Sequence, residues 1–498
     1  MYIRSVTVEN VKSFRGKQRF DLGRGVNYFV GDNNSGKSTV MEALIFLFEG
    51  SSAAKNPPEK FYSTGATGPT RVEVEITGDL GELVTQDKFK RFADFIFDDD
   101  GQQVLRLDRS SEERTVEQGG KPKQVNVKAV CFWHPDRKQF ENVTGIDASV
   151  KSLFDFEAVW ADAQPGDHID FANTKTLGRL LDSAFKRFVT TPQWEALKTA
   201  HETAFSSEGE GSFLTEAQEL AGKIKGLVDE QYGAASYRFD FGLPDSTVFM
   251  KQGRLHVDDG SGETPVDGKG SGMQRAIALG FIQLYARSSA LLDAGSHAPL
   301  VLMLDEPETW LHPNAQLKLG EALSKIGEHE QVFIVTHSPY LIRKFDAGSH
   351  RLTVLAGTGA SRRVNAHTEF GLFGAGEPTW GEINYRAFGI CSNDFHNELF
   401  GRVQWHMELG RDGAFASEKA IDEFLFLKGL PRAKDWTRHE RQTDKRTLPV
   451  FVRNSIHHPE NNRNAPVSDA ELLEATEQLV RIVEGLENER EAELESVE

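Results

Sequence analysis

Gly31-Asp32-Asn33-Asn34-Ser35-Gly36-Lys37-Ser38-Thr39 combines a turn-forming backbone, a cation and hydroxyl groups in the spacing G-x-x-x-x-G-K-[S/T]. Gly31 and Gly36 let backbone N–H groups curl around phosphate oxygens, and a following helix would aim its positive end at the same anion. Lys37 adds a point charge for the β- and γ-phosphates, and the Ser38 hydroxyl is placed to ligate Mg2+. A glycine-rich turn arising by chance is the plain alternative, but the flanks argue against it. Residues 26–30 read as an apolar strand and residues 40–48 as a helix. The expected ligands are a nucleoside triphosphate and Mg2+.

Further stretches bear on what happens to that triphosphate. Residues 300–304 are a continuous apolar run, as in a parallel strand buried on both faces, and the run ends in Asp305-Glu306. An aspartate there can hold Mg2+ through its water shell. A glutamate beside it can polarise the attacking water, because phosphoryl transfer asks little covalent chemistry of the protein. The next apolar strand, residues 331–335, delivers Thr336-His337-Ser338. A histidine leaving a buried strand beside the site can reach a γ-phosphate, although a lone histidine is more often structural. Gly268-Lys269-Gly270-Ser271-Gly272-Met273-Gln274-Arg275 opens an apolar helical run at 276–282, a second glycine-rich helix start and so a second anion site. Taken alone, a flexible surface loop is its less favoured alternative.

These residues need a scaffold, and a chain of 498 residues can supply two to four domains with real cores. Cys131 and Cys391 are the only cysteines and lie far apart, which gives neither a disulfide framework nor a zinc knuckle. The chain enters a strand directly, with no signal peptide expected, and no run of about eighteen apolar residues suggests a membrane span. A cytoplasmic protein is the expectation. The net charge of −18 argues against a generic basic DNA-coating surface, so any nucleic-acid contact must come from a local basic patch.

Four sections follow from composition and periodicity. Residues 1–150 hold the loop strand, the first helix and a β-rich stretch in which 71–76 alternates as a half-exposed strand. Residues 151–235 read as a helical lobe broken by the polar stretch 206–212. Residues 236–365 return to the sheet, with a strand at 351–355 before 357–361 loosens the chain. Residues 380–498 read as helix throughout, with candidates at 393–409, 417–428, 448–458 and 469–486, hence a small all-α bundle. Pro459 stops the third of these, Ser468 with Glu471 caps the fourth, and the acidic tail 484–498 reads as a frayed helix end.

The order of these motifs resembles the ABC-type ATPase heads. In that family the glycine loop is Walker A, Gly270-Ser271-Gly272-Met273-Gln274 the signature, Leu304-Asp305-Glu306-Pro307-Glu308 Walker B with its D-loop, and His337 the switch histidine. The opening residues 1–14, and Leu311-His312-Pro313 after the acidic run, look like the RecF, SMC and OLD branch. The resemblance covers residues 1–365. It implies an α/β head with a mixed β-sheet flanked by helices, and a helical insertion lobe where SMC-like proteins carry a coiled coil. This insert is too short, and its heptads too weak, for a long coil. The resemblance further implies a homo-oligomer with shared ATP sites, in which Ser271, Gly272 and Gln274 of one subunit close over ATP held by another. The signature departs from Leu-Ser-Gly-Gly-Gln, Gln139 is the candidate Q-loop glutamine, and nothing like a Toprim acidic cluster follows the head.

The C-terminal section contains Arg453-Asn454-Ser455-Ile456-His457-His458. Arg453 and His457, four apart, share a helical face, with His458 beside them. Arg438, Arg441, Lys445 and Arg446 form a basic stretch upstream. Histidine as acid or base, with arginine stabilising phosphate charge, is a metal-free way to cut RNA. The run resembles the R-x4-6-H motif of HEPN-domain ribonucleases, which are four-helix bundles that pair to build their site. The whole layout resembles phage-defence ATPases such as the PrrC-like and RloC-like anticodon nucleases. Arg453 and His458 would then be catalytic, with a polar group added from Asp394-Phe395-His396-Asn397-Glu398. Alternatives remain open: a histidine pair that caps a helix or binds a partner, a scaffold ATPase that recruits a separate nuclease subunit, or a RecF-like DNA-repair ATPase.

Overall fold

Continuous apolar runs become strands covered on both faces. In the computed structural model every residue of Leu300–Asp305 and of Gln331–Val335 is buried. The structure describes the chain except residues 51–57, 119–120, 127–128, 144, 162–176, 179, 182–184, 186–187, 206–211, 233–235, 240, 243–247, 249–251, 261, 292–297, 310, 358–362, 367–369, 371, 374–377, 411–412, 440–441 and 496–498. The polar break expected at 206–212 and the loose stretch at 357–361 lie almost wholly outside the described residues, as does Arg441. Met1–Ala161 together with Ser289–Glu498 forms one unit, and Asp162–Ser288 a second.

The first unit is built around two sheets. One runs Asp155–Val159, Leu300–Asp305, Gln331–Val335, Val26–Gly31, Arg351–Ala356, Arg363–Ala366. All its pairings are parallel except the last. The Asp305 strand and the loop strand are therefore not neighbours, because the His337 strand lies between them. The other sheet is antiparallel and runs Gln139–Glu141, Cys131–His134, Gln102–Ser110, Arg71–Thr77, Tyr2–Glu9, Lys17–Asp21, with Ile96–Asp99 also on Gln102–Ser110. Helix Thr39–Phe48 belongs to the core that joins them. Val40, Met41, Leu44 and Leu47 share one cluster with Val6, Val74 and Leu107 of the antiparallel sheet and Phe29, Val301 and Phe333 of the parallel one.

Two expectations need revising here. The alternating strand Arg71–Thr77 turns Val72, Val74 and Ile76 into that core, but its other face is not simply solvated. Glu75 is buried under Arg4, Arg19 and Arg106, which hold its carboxyl down at about 2 against the cost of burial. The five-residue strand Asp155–Val159 also joins the parallel sheet beyond the expected boundary at 150, since it pairs with Leu300–Leu304 before the chain leaves the unit.

The C-terminal region is helical. Trp380–Phe388, Asn393–Leu409, Glu418–Leu427, Leu448–His457 and Asp469–Glu495 pack around Phe395, Leu399, Val403, Ile421, Leu425, Val450, Leu479 and Val483. Ser468 and Glu471 form the reciprocal cap, with Glu471 N–H donating to Ser468 Oγ at 3.3 Å and Ser468 N–H to Glu471 Oε2 at 2.9 Å. It is not all helix, however. The basic stretch forms a hairpin, Lys434–His439 with Gln442–Arg446. Trp436 packs inward, and Thr437 and Thr443 pair across the strands with hydroxyls 2.9 Å apart, which suits β-favouring side chains better than a helix.

Asp162–Ser288 contains helices Pro192–Phe205 and Phe213–Tyr232, a short hairpin His256–Asp258 with Glu263–Pro265, and the start of helix Ser271–Leu291. Among the described residues no helix is long and apolar enough to cross a membrane.

Candidate functional site

The loop after Val26–Gly31 has a backbone that only certain residues permit. Gly31 has φ +129°, and a Cβ there would lie 1.8 Å from the Leu355 carbonyl oxygen. Asn34 at φ 64° and Gly36 at φ +101° are also left-handed, so the loop curls as an anion-binding nest does. Asp32 Oδ2 accepts the Gly357 N–H at 2.9 Å and pins the loop to the neighbouring strand end. Lys37 is buried, with Nζ 3.1 Å from the Gly31 carbonyl oxygen and 2.8 Å from that of Asp32.

Ser38 precedes helix Thr39–Phe48, the place where a serine ordinarily caps the helix. Its hydroxyl makes no capping bond and donates instead to Asp305 Oδ1 at 2.9 Å. Two residues 267 positions apart are thus brought together by the sheet order. Burial pushes the Asp305 carboxyl up to about 6, helped by Glu306 and Glu42 and opposed by Ser38 and Lys37. A buried carboxyl short of positive charge beside a serine hydroxyl is what a hard cation needs.

Glu306 follows in a left-handed conformation, φ 47°, with its N–H donating to the Val335 carbonyl at 2.8 Å. That turn leaves its carboxylate partly exposed. His337 Nε2 lies 3.7 Å from Glu306 Oε1, too far for a hydrogen bond, and is buried without a partner among the described residues. Burial and the Lys37 charge hold the imidazole below its ordinary range, hence neutral near pH 7. Glu308 Oε1 accepts the His337 N–H at 2.7 Å, and burial raises its carboxyl. Sequence reasoning gave Glu308 no role. The signal available was an acidic residue two places beyond Glu306, next to the bend that presents the histidine.

ATP and Mg2+ fit the residues present. Ser35 Oγ and His337 Nε2 are buried polar atoms with no partner among the described residues. Lys37 rests on loop carbonyls that a phosphate can replace, and Ser38 with Asp305 offers Mg2+ two oxygen ligands. Among the described residues no group of three or more His, Cys, Asp or Glu could hold a metal. Asn33 and Asn34 are exposed on the loop, and Thr39 is buried as the first residue of the helix.

Other expected residues belong to other elements. Ser271 opens its helix in the second unit, followed by Gly272. Gln274 turns its amide onto the carbonyls of Asp267 and Lys269, at 3.1 and 2.7 Å. Gln139 sits on an edge strand of the antiparallel sheet, 3.2 Å from Glu141 Oε1.

In the C-terminal region Glu418, Trp436, Arg438, Asn454, His458 and Arg463 line a cavity of about 590 Å³. His458 is half-exposed there, with Nδ1 3.3 Å from Glu460. Arg453 is not among the lining residues. Its Nη1 lies 3.4 Å from Glu418 Oε2, and its guanidinium sits 5.4 Å from the centre of the Phe400 ring. His396, in the segment expected to add a polar group, is fully buried with both ring nitrogens unpartnered among the described residues. Burial first, then Arg453 and His457, pushes it down to about 3.

The chain is 26% identical over 348 residues to the Old nuclease of Escherichia phage P2, covering 68% of this chain and 56% of that protein. It is 23% identical over 346 residues to the OLD nuclease of Thermus scotoductus, covering 68% and 60%. The chain thus spans little more than half the length of these relatives. A 56-residue stretch is 39% identical to the chromosome partition protein Smc of Desulfitobacterium hafniense, covering 11% of this chain and 5% of that one. Among solved structures, an Smc head bound to the C-winged helix domain of ScpA aligns with TM-score 0.42 at 13% identity, covering 74% of this chain and 98% of the other. Residues 26–343, well over half of the chain, match the family described as "AAA domain, putative AbiEii toxin, Type IV TA system", and the chain belongs to that family of ATPase domains.

Proposed function

We propose that this chain is a Mg2+-dependent ATP hydrolase of an anti-phage defence system, working as a homo-oligomer whose nucleotide state governs a nuclease. The observation that carries the ATPase reading is the meeting of Ser38 and Asp305 at 2.9 Å, with Glu306 and His337 presented at the same strand ends. Bound Mg2+ would neutralise phosphate charge and be held by Ser38 and Asp305. Lys37 exchanges its loop carbonyls for phosphate oxygens. Glu306, partly exposed, takes the proton of the attacking water, and neutral His337 meets the γ-phosphate through Nε2. Ser271, Gly272 and Gln274 from a neighbouring subunit close the site, so ATP joins heads. A Lys37→Ala variant that hydrolyses ATP at the wild-type rate would remove this assignment.

For the nuclease there are two readings. In the first, Arg453 and His458 form a metal-independent ribonuclease centre, completed when two C-terminal regions pair, with RNA held by Arg438, Lys445 and Arg446. In the second, the region is a scaffold that recruits a separate nuclease subunit. The engagement of Arg453 with Glu418 and Phe400, while His458 faces Glu460, favours the second. Induced expression of the chain alone decides between them. RNA cleavage that survives EDTA and vanishes in Arg453→Ala and His458→Ala supports the first, and equal toxicity and cleavage in both variants leaves the scaffold. DNA as target, in a repair role, fits the head equally but gives the C-terminal cleft no task.

A further inference from the structure

The ATP site uses no residue of the C-terminal cleft, yet that cleft has its own ordered electrostatics. Glu418 is the first residue of helix Glu418–Leu427. Its Oε1 is 3.0 Å from Arg438 Nη2, 3.0 Å from Asn454 Nδ2 and 3.8 Å from Arg446 Nε, while Oε2 faces Arg453 at 3.4 Å. Three guanidinium groups around one carboxylate make an anion subsite filled by the protein's own anion. Every arginine of the group has an acidic partner, since Arg446 also meets Asp444 at 3.2 Å, and Glu460 lines the cleft beside Glu418, so the guanidinium charges are balanced from within the protein.

The cleft wall is held rigid. Asn461 and Asn464 each donate to the Thr437 carbonyl, at 2.9 and 3.2 Å, and Asn464 Oδ1 accepts the Thr437 N–H at 2.8 Å. The loop after His458 is thereby stitched to the hairpin that carries Arg438, with buried Trp436 behind it. Asn462 and Arg463 line the cleft on this loop. A cavity of about 590 Å³ suits a nucleotide unit and is far too small for a duplex.

We propose that this cleft binds the phosphodiester backbone of single-stranded nucleic acid, and that Glu418 keeps the subsite closed until a ligand phosphate displaces its carboxylate from Arg438. Arg438 and Arg463 contact phosphate, and the Asn462 amide meets a base edge. The inference rests on the nuclease reading for the class of ligand, but it concerns binding and restraint rather than cleavage.

The test is fluorescence anisotropy with the full-length protein, using short single-stranded 2′-O-methyl RNA and DNA of one sequence. Glu418→Gln keeps the shape and the hydrogen bond from Asn454 but removes the competing charge. It should tighten binding about tenfold, with ATP hydrolysis unchanged. Arg438→Ala and Arg463→Ala should each weaken binding about tenfold and lower the salt slope by about one. The RNA and DNA arms identify which backbone is preferred. Unchanged or weaker binding by Glu418→Gln overturns the restraint. Wild-type binding by both arginine variants, whose side chains sit at the cleft edge, overturns the site even if Glu418→Gln does not fold. Intact binding with no cleavage of unmodified RNA of the same sequence sinks the nuclease reading alone, whereas cleavage of that RNA that persists while binding ignores these residues sinks this inference alone.

Discussion

The two candidate sites are electrostatic opposites. At the glycine loop part of the working set lacks internal partners. Asp305 is pushed up to about 6 by burial, and Ser35 Oγ and His337 Nε2 have no hydrogen-bond partner among the described residues. In the C-terminal cleft the charges answer one another, with Glu418 holding Arg438 and Arg453 and His458 beside Glu460. An incomplete site stabilises what completes it, whereas a self-satisfied one must be opened first. The first should respond to loss of a single group with loss of chemistry and little loss of stability, and the second the other way round.

The largest expected effect is at Lys37. Lys37→Ala should cut ATP hydrolysis by about a hundredfold or more, because a positive group is lost where charge develops in the transition state. Thermal unfolding should barely move, since among the described residues Lys37 bonds only to two loop carbonyls. A large fall in melting temperature would mean that the loop is as self-satisfied as the cleft.

Next is Glu306→Gln, which should slow hydrolysis by about a hundredfold while ATP and Mg2+ still bind, because Ser38 and Asp305 are untouched. Closed heads should then accumulate, and native mass spectrometry lacking any ATP-dependent association would count against the shared site.

A pH titration sharpens the contrast from the other side. His396 is buried and neutral, with its folded value near 3 and its unfolded value near 6.5. Between those values only the unfolded chain takes up the proton, so stability falls as pH drops through that window, by about 2 kcal/mol at pH 5. Denaturant unfolding of the C-terminal region at pH 7 and 5 should show this, and His396→Leu should flatten it.

The smallest effect is expected for Arg453→Ala. Glu418 keeps Arg438 and Asn454, so the loss should be about 1 kcal/mol of C-terminal stability by chemical denaturation, with ATP hydrolysis unchanged. A loss several times larger would make Arg453 the keystone of the cluster rather than one partner in it.

How far the sequence could be read differs between the two sites in the same way. The loop residues Gly31 to Thr39 could be located because a strand, a left-handed loop and a helix start are contiguous, and their steric demands are written into residue types. The helix Asn393–Leu409 and the Ser468–Glu471 cap were legible for the same local reason. The hairpin at Lys434–Arg446 was missed because its charged residues obscured a short period-two alternation around Trp436.

What the sequence by itself determined is therefore the set of motifs and their order: a phosphate loop, an acidic strand end, a histidine strand, then a largely helical C-terminal region. What only tertiary structure decided is which of those residues meet. Ser38 reaches Asp305 because the His337 strand is inserted between their two strands, an order that no local pattern encodes. Arg453 turns to Glu418 and the Phe400 ring because a carboxylate and a ring from other helices lie there. The physical reason is range: backbone strain and helix capping act between near neighbours in the chain, whereas burial and charge pairing act between whatever the fold brings within a few ångströms.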